Sequence, residues 1–309
     1  MARREETESA VGTVESLRKP STAADLLLLA AVPAVLVAVA TLPPSVRQSL
    51  VFEYDDPTLW TAVASSFVHV SPGHLAVNLA SYALVVPVVY LLNVASGERR
   101  RFHVVFVSLL AVCPFVLSYL NLTIVRSAGA AGFSGVVLAL YGYLPLALAT
   151  HAETQFGIGR RRTTAPLLFF AGLTLIALLT LGTVLTYGVT VPYGGRTVAV
   201  GHVITATLVG LLAALALVLV LYGLSATDGS AAWRANLRAA TAEAGHFELA
   251  VIATGLFLAF PFAAFPVDPV MGGRVMNLYV HLLGYSLGFI ATYVLVVLED
   301  GGPAADRGV

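Results

Sequence analysis

The sequence predicts an all-α, polytopic membrane protein, and three observations predict it. Apolar residues make up 58% of the 309-residue chain, charged residues only 11%, and the mean hydropathy is +0.87. A soluble domain of this size carries about a quarter charged residues. The apolar residues also gather into long runs. A hydrocarbon core about 30 Å thick needs roughly 20 residues of helix. Eight runs approach or exceed that length, at about 25–42, 73–94, 102–124, 130–150, 165–187, 199–224, 247–265 and 275–298. None of the eight alternates polar and apolar residues as a barrel strand would, so helices must satisfy the backbone in lipid.

The first 24 residues are polar and contain no apolar stretch of the kind a cleaved leader carries, so they read as a tail. Arg3, Arg4, Arg18 and Lys19 precede the first span. Arg99 to Arg101 lie between the second and third, Arg160 to Arg162 between the fourth and fifth, and Arg234 and Arg238 between the sixth and seventh. The loop after the first span carries Glu53, Asp55 and Asp56 instead. This asymmetry predicts a multi-pass protein of the cell membrane with both termini cytoplasmic. Residues 25–298 then form one transmembrane domain, and the Gly- and Pro-rich residues 299–309 a flexible cytoplasmic tail. The longest connector, about 225–246, places Trp233, Arg234, Leu237 and Arg238 at helical spacing. It fits an amphipathic helix on the cytoplasmic surface or a simple connector. No fixed-period repeat is visible.

Zero net charge and a pI of about 7.1 give no footprint for nucleic acid. The lone Cys113 can form no internal disulfide and reads as a small buried hydrophobe. No carboxylate or thiol joins the histidines at ligand spacing, so neither a metal nor another cofactor is expected. The lipid bilayer is the partner this composition implies; no feature sets an oligomeric state.

The predicted orientation makes spans 2, 4, 6 and 8 all begin at the outer face. Their mouths carry His74 with Asn78, Ser134, His202 and His281 respectively. Polar side chains in lipid cost several kcal/mol unless partnered, so such a concentration at one face marks candidate function. Ser134 lies in Gly132-Phe-Ser-Gly135, preceded by Gly129, Ala130 and Ala131. Small residues leave room at a helix mouth, and first-turn N–H groups without intrahelical partners can donate to an oxyanion. A serine hydroxyl needs a base within about 3 Å to become a nucleophile. The run is not the soluble-hydrolase elbow G-x-S-x-G, because Val136 fills its last position. Taken alone it reads equally as a packing face of small residues. His74 and Asn78, four apart, share one helix face and could donate two hydrogen bonds to one oxygen, or satisfy each other.

The segment Trp60-Thr-Ala-Val-Ala-Ser65-Ser-Phe67-Val-His69-Val-Ser71-Pro-Gly-His74-Leu-Ala-Val-Asn78 resembles the first loop and second helix of rhomboid intramembrane serine proteases. Gly132-Phe-Ser-Gly-Val-Val-Leu-Ala-Leu-Tyr-Gly142-Tyr143 is similar to that family's fourth helix. The resemblance covers about residues 55–150 and a C-terminal histidine helix. It implies a rhomboid-like six-helix core and a serine endopeptidase that cuts transmembrane substrates near the outer face. By the same resemblance Ser134 is the nucleophile, a later histidine the base with no third carboxylate, and His74, Asn78 and the Ser134 N–H bind the oxyanion. His69 belongs to the first-loop signature and is a candidate support for the site. Two positions depart from the family pattern: Thr61 stands where Arg is frequent, and Leu138 where a tyrosine often stacks on the base. Tyr141, Tyr279 and Tyr285 are the candidates to orient the base instead.

Two histidines compete for that role. His281 opens His-Leu-Leu-Gly284-Tyr-Ser-Leu-Gly288, whose glycines make a flat stripe below the imidazole and permit close helix approach. His202 is favoured by helix counting, since the common six-helix core places its base on the sixth helix. The glycine stripe favours His281 and implies an inserted helical pair. His103, His151 and His246 fall near the cytoplasmic ends, where snorkelling to the headgroups explains them. Two rival readings remain: a rhomboid-fold pseudoprotease that binds transmembrane clients without cleavage, and a transporter. The transporter's inverted repeats and mid-span ionisable groups are absent from the sequence.

Overall fold

The chain is an all-α polytopic membrane protein, about 81% helical, with eight helices long and apolar enough to cross a bilayer. The computed structural model describes residues 20–123, 129–193, 196–225, 245–271 and 274–301. The tail at 1–19, the connector holding Trp233, Arg234, Leu237 and Arg238, and residues 302–309 lie outside the described residues.

The spanning helices are α1 (Pro20–Ala40), α4 (Pro72–Ala95), α5 (Arg99–Asn121), α6 (Ser134–Phe156), α7 (Arg161–Tyr187), α8 (Gly201–Ser225), α9 (His246–Ala264) and α10 (Leu278–Gly301). Between α1 and α4 the chain forms two short helices, α2 (Pro44–Ser49) and α3 (Leu59–Ala64), and a 3₁₀ turn at Ser65–Phe67. Two antiparallel hairpins cap the connections. β1 (Thr190–Tyr193) pairs with β2 (Arg196–Ala199), Thr190 opposite Ala199, between α7 and α8. β3 (Val270–Met271) pairs with β4 (Arg274–Val275) between α9 and α10.

The centre of the bundle is α6, with 94% of its span buried. Helices α4, α5, α7, α9 and α10 pack around it, α10 most extensively. Its sequence explains this: every side chain from Gly135 to His151 is buried, so no face is reserved for lipid. By contrast α8 packs on α7, has only 6% of its span buried, and exposes Val203, Val209, Leu217, Leu221 and Leu224. The hairpin α7–α8 is therefore an attachment through α7, whose Ala165, Phe169, Gly172 and Ile176 are buried.

Two boundaries differ from expectation. Helix α1 starts at Pro20, inside the stretch read as tail. Helix α6 starts at Ser134 and not near residue 130, because Gly132 has φ +129° and cannot continue a helix. Ala130 instead forms a β-bridge, and the chain turns into the helix at Phe133, whose backbone is already helical. Ala130 exchanges hydrogen bonds with Phe52 (3.2 and 2.9 Å), and Gly132 N–H donates to the Ser65 carbonyl at 3.0 Å.

One end of the bundle, where α4, α6, α8 and α10 begin, carries Ser134; the other carries Arg99 to Arg101 and Arg160 to Arg162. At the arginine end Asp25 of α1, 4% exposed, accepts from Arg99 Nε and Nη2 (2.7 and 2.8 Å), from Tyr90 Oη (2.6 Å) and lies 2.8 Å from His103 Nε2. Arg101 pairs with Glu98 (2.9 Å) and Glu299 (3.1 Å), so the last turn of α10 is tied to α5. His103 and His151 are thus not snorkelling. His151 is fully buried, with its ring stacked on His246 at 5.5 Å and near Ser96 Oγ and the His246 carbonyl.

Candidate active site

Ser134 is the first residue of α6 and half-buried. The strap before it is fixed by Phe133, fully buried against Phe67 and Tyr82. Its hydroxyl makes no hydrogen bond to His281 or to another described residue. The first helical bonds run from the Val136 and Val137 N–H groups to the Phe133 carbonyl, which leaves the Ser134 and Gly135 N–H groups without an intrahelical acceptor.

His281 reaches the serine level through backbone-on-backbone packing. A Cβ at Gly288 would strike the Ala139 carbonyl, one at Gly284 the Gly135 carbonyl, and one at Gly142 the Tyr285 carbonyl. A Cβ at Gly135 would lie 2.6 Å from Val280 Cγ1. With Val280 against Gly135 and Gly284 against Gly135 and Leu138, His281 between them sits beside the mouth of α6. It is 6% exposed, and its Nδ1 lies 2.8 Å from the Ala264 carbonyl at the end of α9. A carbonyl only accepts, so Nδ1 carries the proton and Nε2 has the free lone pair. Phe265 meets the ring edge-on at 6.0 Å.

These contacts correct the expected orienting groups. Tyr141 donates to the Phe257 carbonyl, Tyr285 to the Phe169 carbonyl at 3.0 Å, and Tyr279 pairs with Thr123 at 2.9 Å. None of the three hydroxyls bonds His281; the Ala264 carbonyl and Phe265 hold it. Sequence reasoning missed both because a main-chain acceptor from another helix leaves no residue-type signal. It also missed the clamp at the start of α10, where Asn277 Nδ2 donates to Asn121 Oδ1 at 3.1 Å and Asn121 donates to Tyr54. The fully buried Asn121 near the end of an apolar run was the available signal.

His202, the other candidate base, is exposed at the start of α8, the helix that packs on α7 and not on α6. The structure therefore does not bring it to Ser134. His74 and Asn78 lie in the first turns of α4. The half-buried His74 ring presses on the strap: a Cβ at Gly132 would be 2.6 Å from His74 Cε1 and 3.0 Å from Nε2. His74 and His281 lie within electrostatic reach of each other. Asn78, 2% exposed, donates from Nδ2 to the His74 carbonyl at 2.9 Å, so the two share a face without a side-chain bond between them. Ser71 Oγ accepts from His74 N–H at 3.1 Å and caps α4.

His69, 3% exposed, packs edge-to-face on His74 at 5.0 Å. Burial pushes its imidazole down to about 4, and the neighbouring His74 adds to the fall while the Phe67 carbonyl opposes it. Neither ring nitrogen has a hydrogen-bond partner among the described residues. No group of three or more His, Cys, Asp or Glu among the described residues could hold a metal.

The chain matches no protein-family model, no curated protein and no solved structure. What the fold defines is a class, the polytopic helical membrane proteins.

Proposed function

We propose that this chain is a rhomboid-type intramembrane serine endopeptidase, with Ser134 as nucleophile and His281 as general base. The observation that supports this reading is the approach of α10 to α6, in which Gly142, Gly284 and Gly288 let the two backbones touch and Val280, the residue before His281, packs on Gly135, the residue after Ser134. The His281 Nε2 lone pair accepts the Ser134 proton as Oγ attacks the substrate carbonyl carbon. The oxyanion that forms is met by the Ser134 N–H, His74 and the second N–H of Asn78 Nδ2. Such preorganised donors contribute about 2.7–4 kcal/mol each to lowering the barrier. The imidazolium then returns the proton to the leaving amine, and water hydrolyses the acyl-enzyme by the same route reversed. The Ala264 carbonyl takes the orienting role that a carboxylate has in soluble triads.

Substrates are transmembrane proteins, cut near the membrane face at which α6 begins. Arg99 to Arg101 and Arg160 to Arg162 gather at the opposite end, which supports that end as cytoplasmic, the cell membrane as the location and Ser134 as outward-facing. The helices α1, α4, α5, α6, α9 and α10 make the six-helix core in this reading, and α7–α8 the inserted pair. A second reading, client binding without cleavage, draws on the absence of a hydrogen bond between Ser134 and His281.

Fluorophosphonate labelling of the purified protein separates the two. Labelling that disappears in Ser134→Ala and His281→Ala and persists in His202→Ala is expected of the protease. A folded wild type that takes no label moves the client-binding reading to first place.

A further inference from the structure

At the end of the bundle that carries Ser134, but off the serine itself, a cavity of about 100 Å³ opens between α1, α2 and the start of α4. It is lined by Ala40, Arg47, His69, Ser71, Pro72 and Leu75. Two of these residues bring unmatched donors. Arg47 Nε is buried without a hydrogen-bond partner among the described residues. No carboxylate among them pairs with this guanidinium, and Glu53, the acid nearest in the chain, is held by Gln48 at 3.2 Å. His69 is 97% buried by its 3% exposure, and neither ring nitrogen makes a hydrogen bond of full geometry among the described residues, although the Phe67 carbonyl lies close enough to act on the ring. A guanidinium stays charged at any pH a protein meets, and a buried donor left unmatched destabilises the fold. Two such groups on one cavity point to an acceptor that the chain does not supply.

We infer that this cavity binds a phosphate group, the headgroup phosphate of a membrane lipid in the bilayer. The guanidinium fork matches phosphate oxygens in a bidentate fashion. The His69 imidazole adds one N–H, and the Ser71 hydroxyl, whose oxygen already accepts from His74 N–H, has its own proton to donate. A volume of about 100 Å³ exceeds the roughly 30 Å³ share of one water and admits a tetrahedral anion. Position selects the source. Ala40 ends one membrane span and Pro72 begins the next, so the cavity lies at the hydrocarbon boundary, the depth of lipid phosphates. Ala40, Pro72 and Leu75 give it an apolar wall that suits the glyceryl and acyl part of a lipid and offers nothing to free phosphate. The inference does not depend on Ser134 being a nucleophile.

The test uses the full chain, purified and delipidated in a maltoside detergent. Native mass spectrometry titrates it with dioctanoyl-phosphatidylglycerol, with dioctanoylglycerol, and with the phospholipid in competition with inorganic phosphate. The expected result is one phospholipid per chain, held at least tenfold more tightly than dioctanoylglycerol. Arg47→Gln should lose at least tenfold of that affinity, and Arg100→Gln, an exposed arginine at the far end, should keep it. Displacement by inorganic phosphate at matching concentration assigns the cavity to the free anion; its failure assigns it to the lipid. Equal binding of the two dioctanoyl compounds, or an Arg47→Gln protein that binds as the wild type does, overturns the inference. Arg47 is on a six-residue helix at the periphery, so the variant should fold, with thermal unfolding as the check. Should it not fold, His69→Gln, which removes the second donor, is held to the same tenfold criterion.

Discussion

Two polar clusters at opposite ends of this bundle are matched to different degrees. At the arginine end Asp25 is surrounded by Arg99, Tyr90 and His103, and Arg101 is clamped between Glu98 and Glu299. At the serine end the Ser134 hydroxyl makes no hydrogen bond, and Arg47 Nε and both His69 nitrogens have no partner among the described residues. A buried carboxylate with a full set of partners holds helices together, and losing one partner of such a pair costs about 3–5 kcal/mol. Donors left without an acceptor destabilise the fold and persist where a ligand or a reacting group completes them. The comparison separates a cluster whose charges are matched by other helices from groups that the described residues leave unmatched, and His246 Nδ1 at the arginine end belongs with the second kind.

The largest effect should come from Gly288→Val. Its side chain would enter the Ala139 backbone, which cannot move aside as a flexible side chain would. Overpacking costs about 1–3 kcal/mol and more where backbone is the obstacle. We expect α10 to be displaced, fluorophosphonate labelling to vanish and thermal stability to fall together. A Gly288→Val protein that labels normally would break the link between glycine stripe and serine site. Asp25→Ala should come next, lowering stability by about 3 kcal/mol in a detergent unfolding titration. Its folded fraction should label at the wild-type rate, because the loss falls at the far end. Loss of labelling in a folded Asp25→Ala protein would show that the ends are coupled.

The smallest effect is pH-dependent and belongs to His69. Its folded value of about 4 lies below the ordinary 6.5. Between those values the unfolded chain binds a proton that the native state does not. Native stability is therefore complete above about 6.5 and falls as pH drops toward 4, by at most about 3 kcal/mol. His74 opposes a further positive charge there, and Arg47 lines the same cavity. In phosphate-free, lipid-free detergent, His69→Gln should flatten the stability slope between pH 6.5 and 4. An unchanged slope would remove His69 from the under-bonded set.

How far these features were legible differs residue by residue. Eight spans could be counted because hydropathy is a local property, and the observed helices fall on the expected runs. The central position of α6 was partly visible in its small and apolar residues, which leave no polar face. The glycine stripe after His281 marked a close helix approach, and α10 makes that approach. The strap before Ser134 was not foreseen. Glycine-rich apolar sequence fits helix equally well, and the strap is set by the Phe52 and Ser65 carbonyls, supplied by a loop far away in the chain.

The sequence by itself determined the membrane-spanning character, the number of spans and the residue types gathered at one end, since each depends on composition within about twenty neighbours. Only the tertiary structure packed the helix of His281 on α6 and the helix of His202 on α7, matched Asp25 with Arg99 across 74 positions and assigned His281 Nδ1 to the Ala264 carbonyl. The physical reason is the same in each case. A hydrogen bond or a helix contact is specified by the distance between two groups, and a linear chain records their order but not that distance.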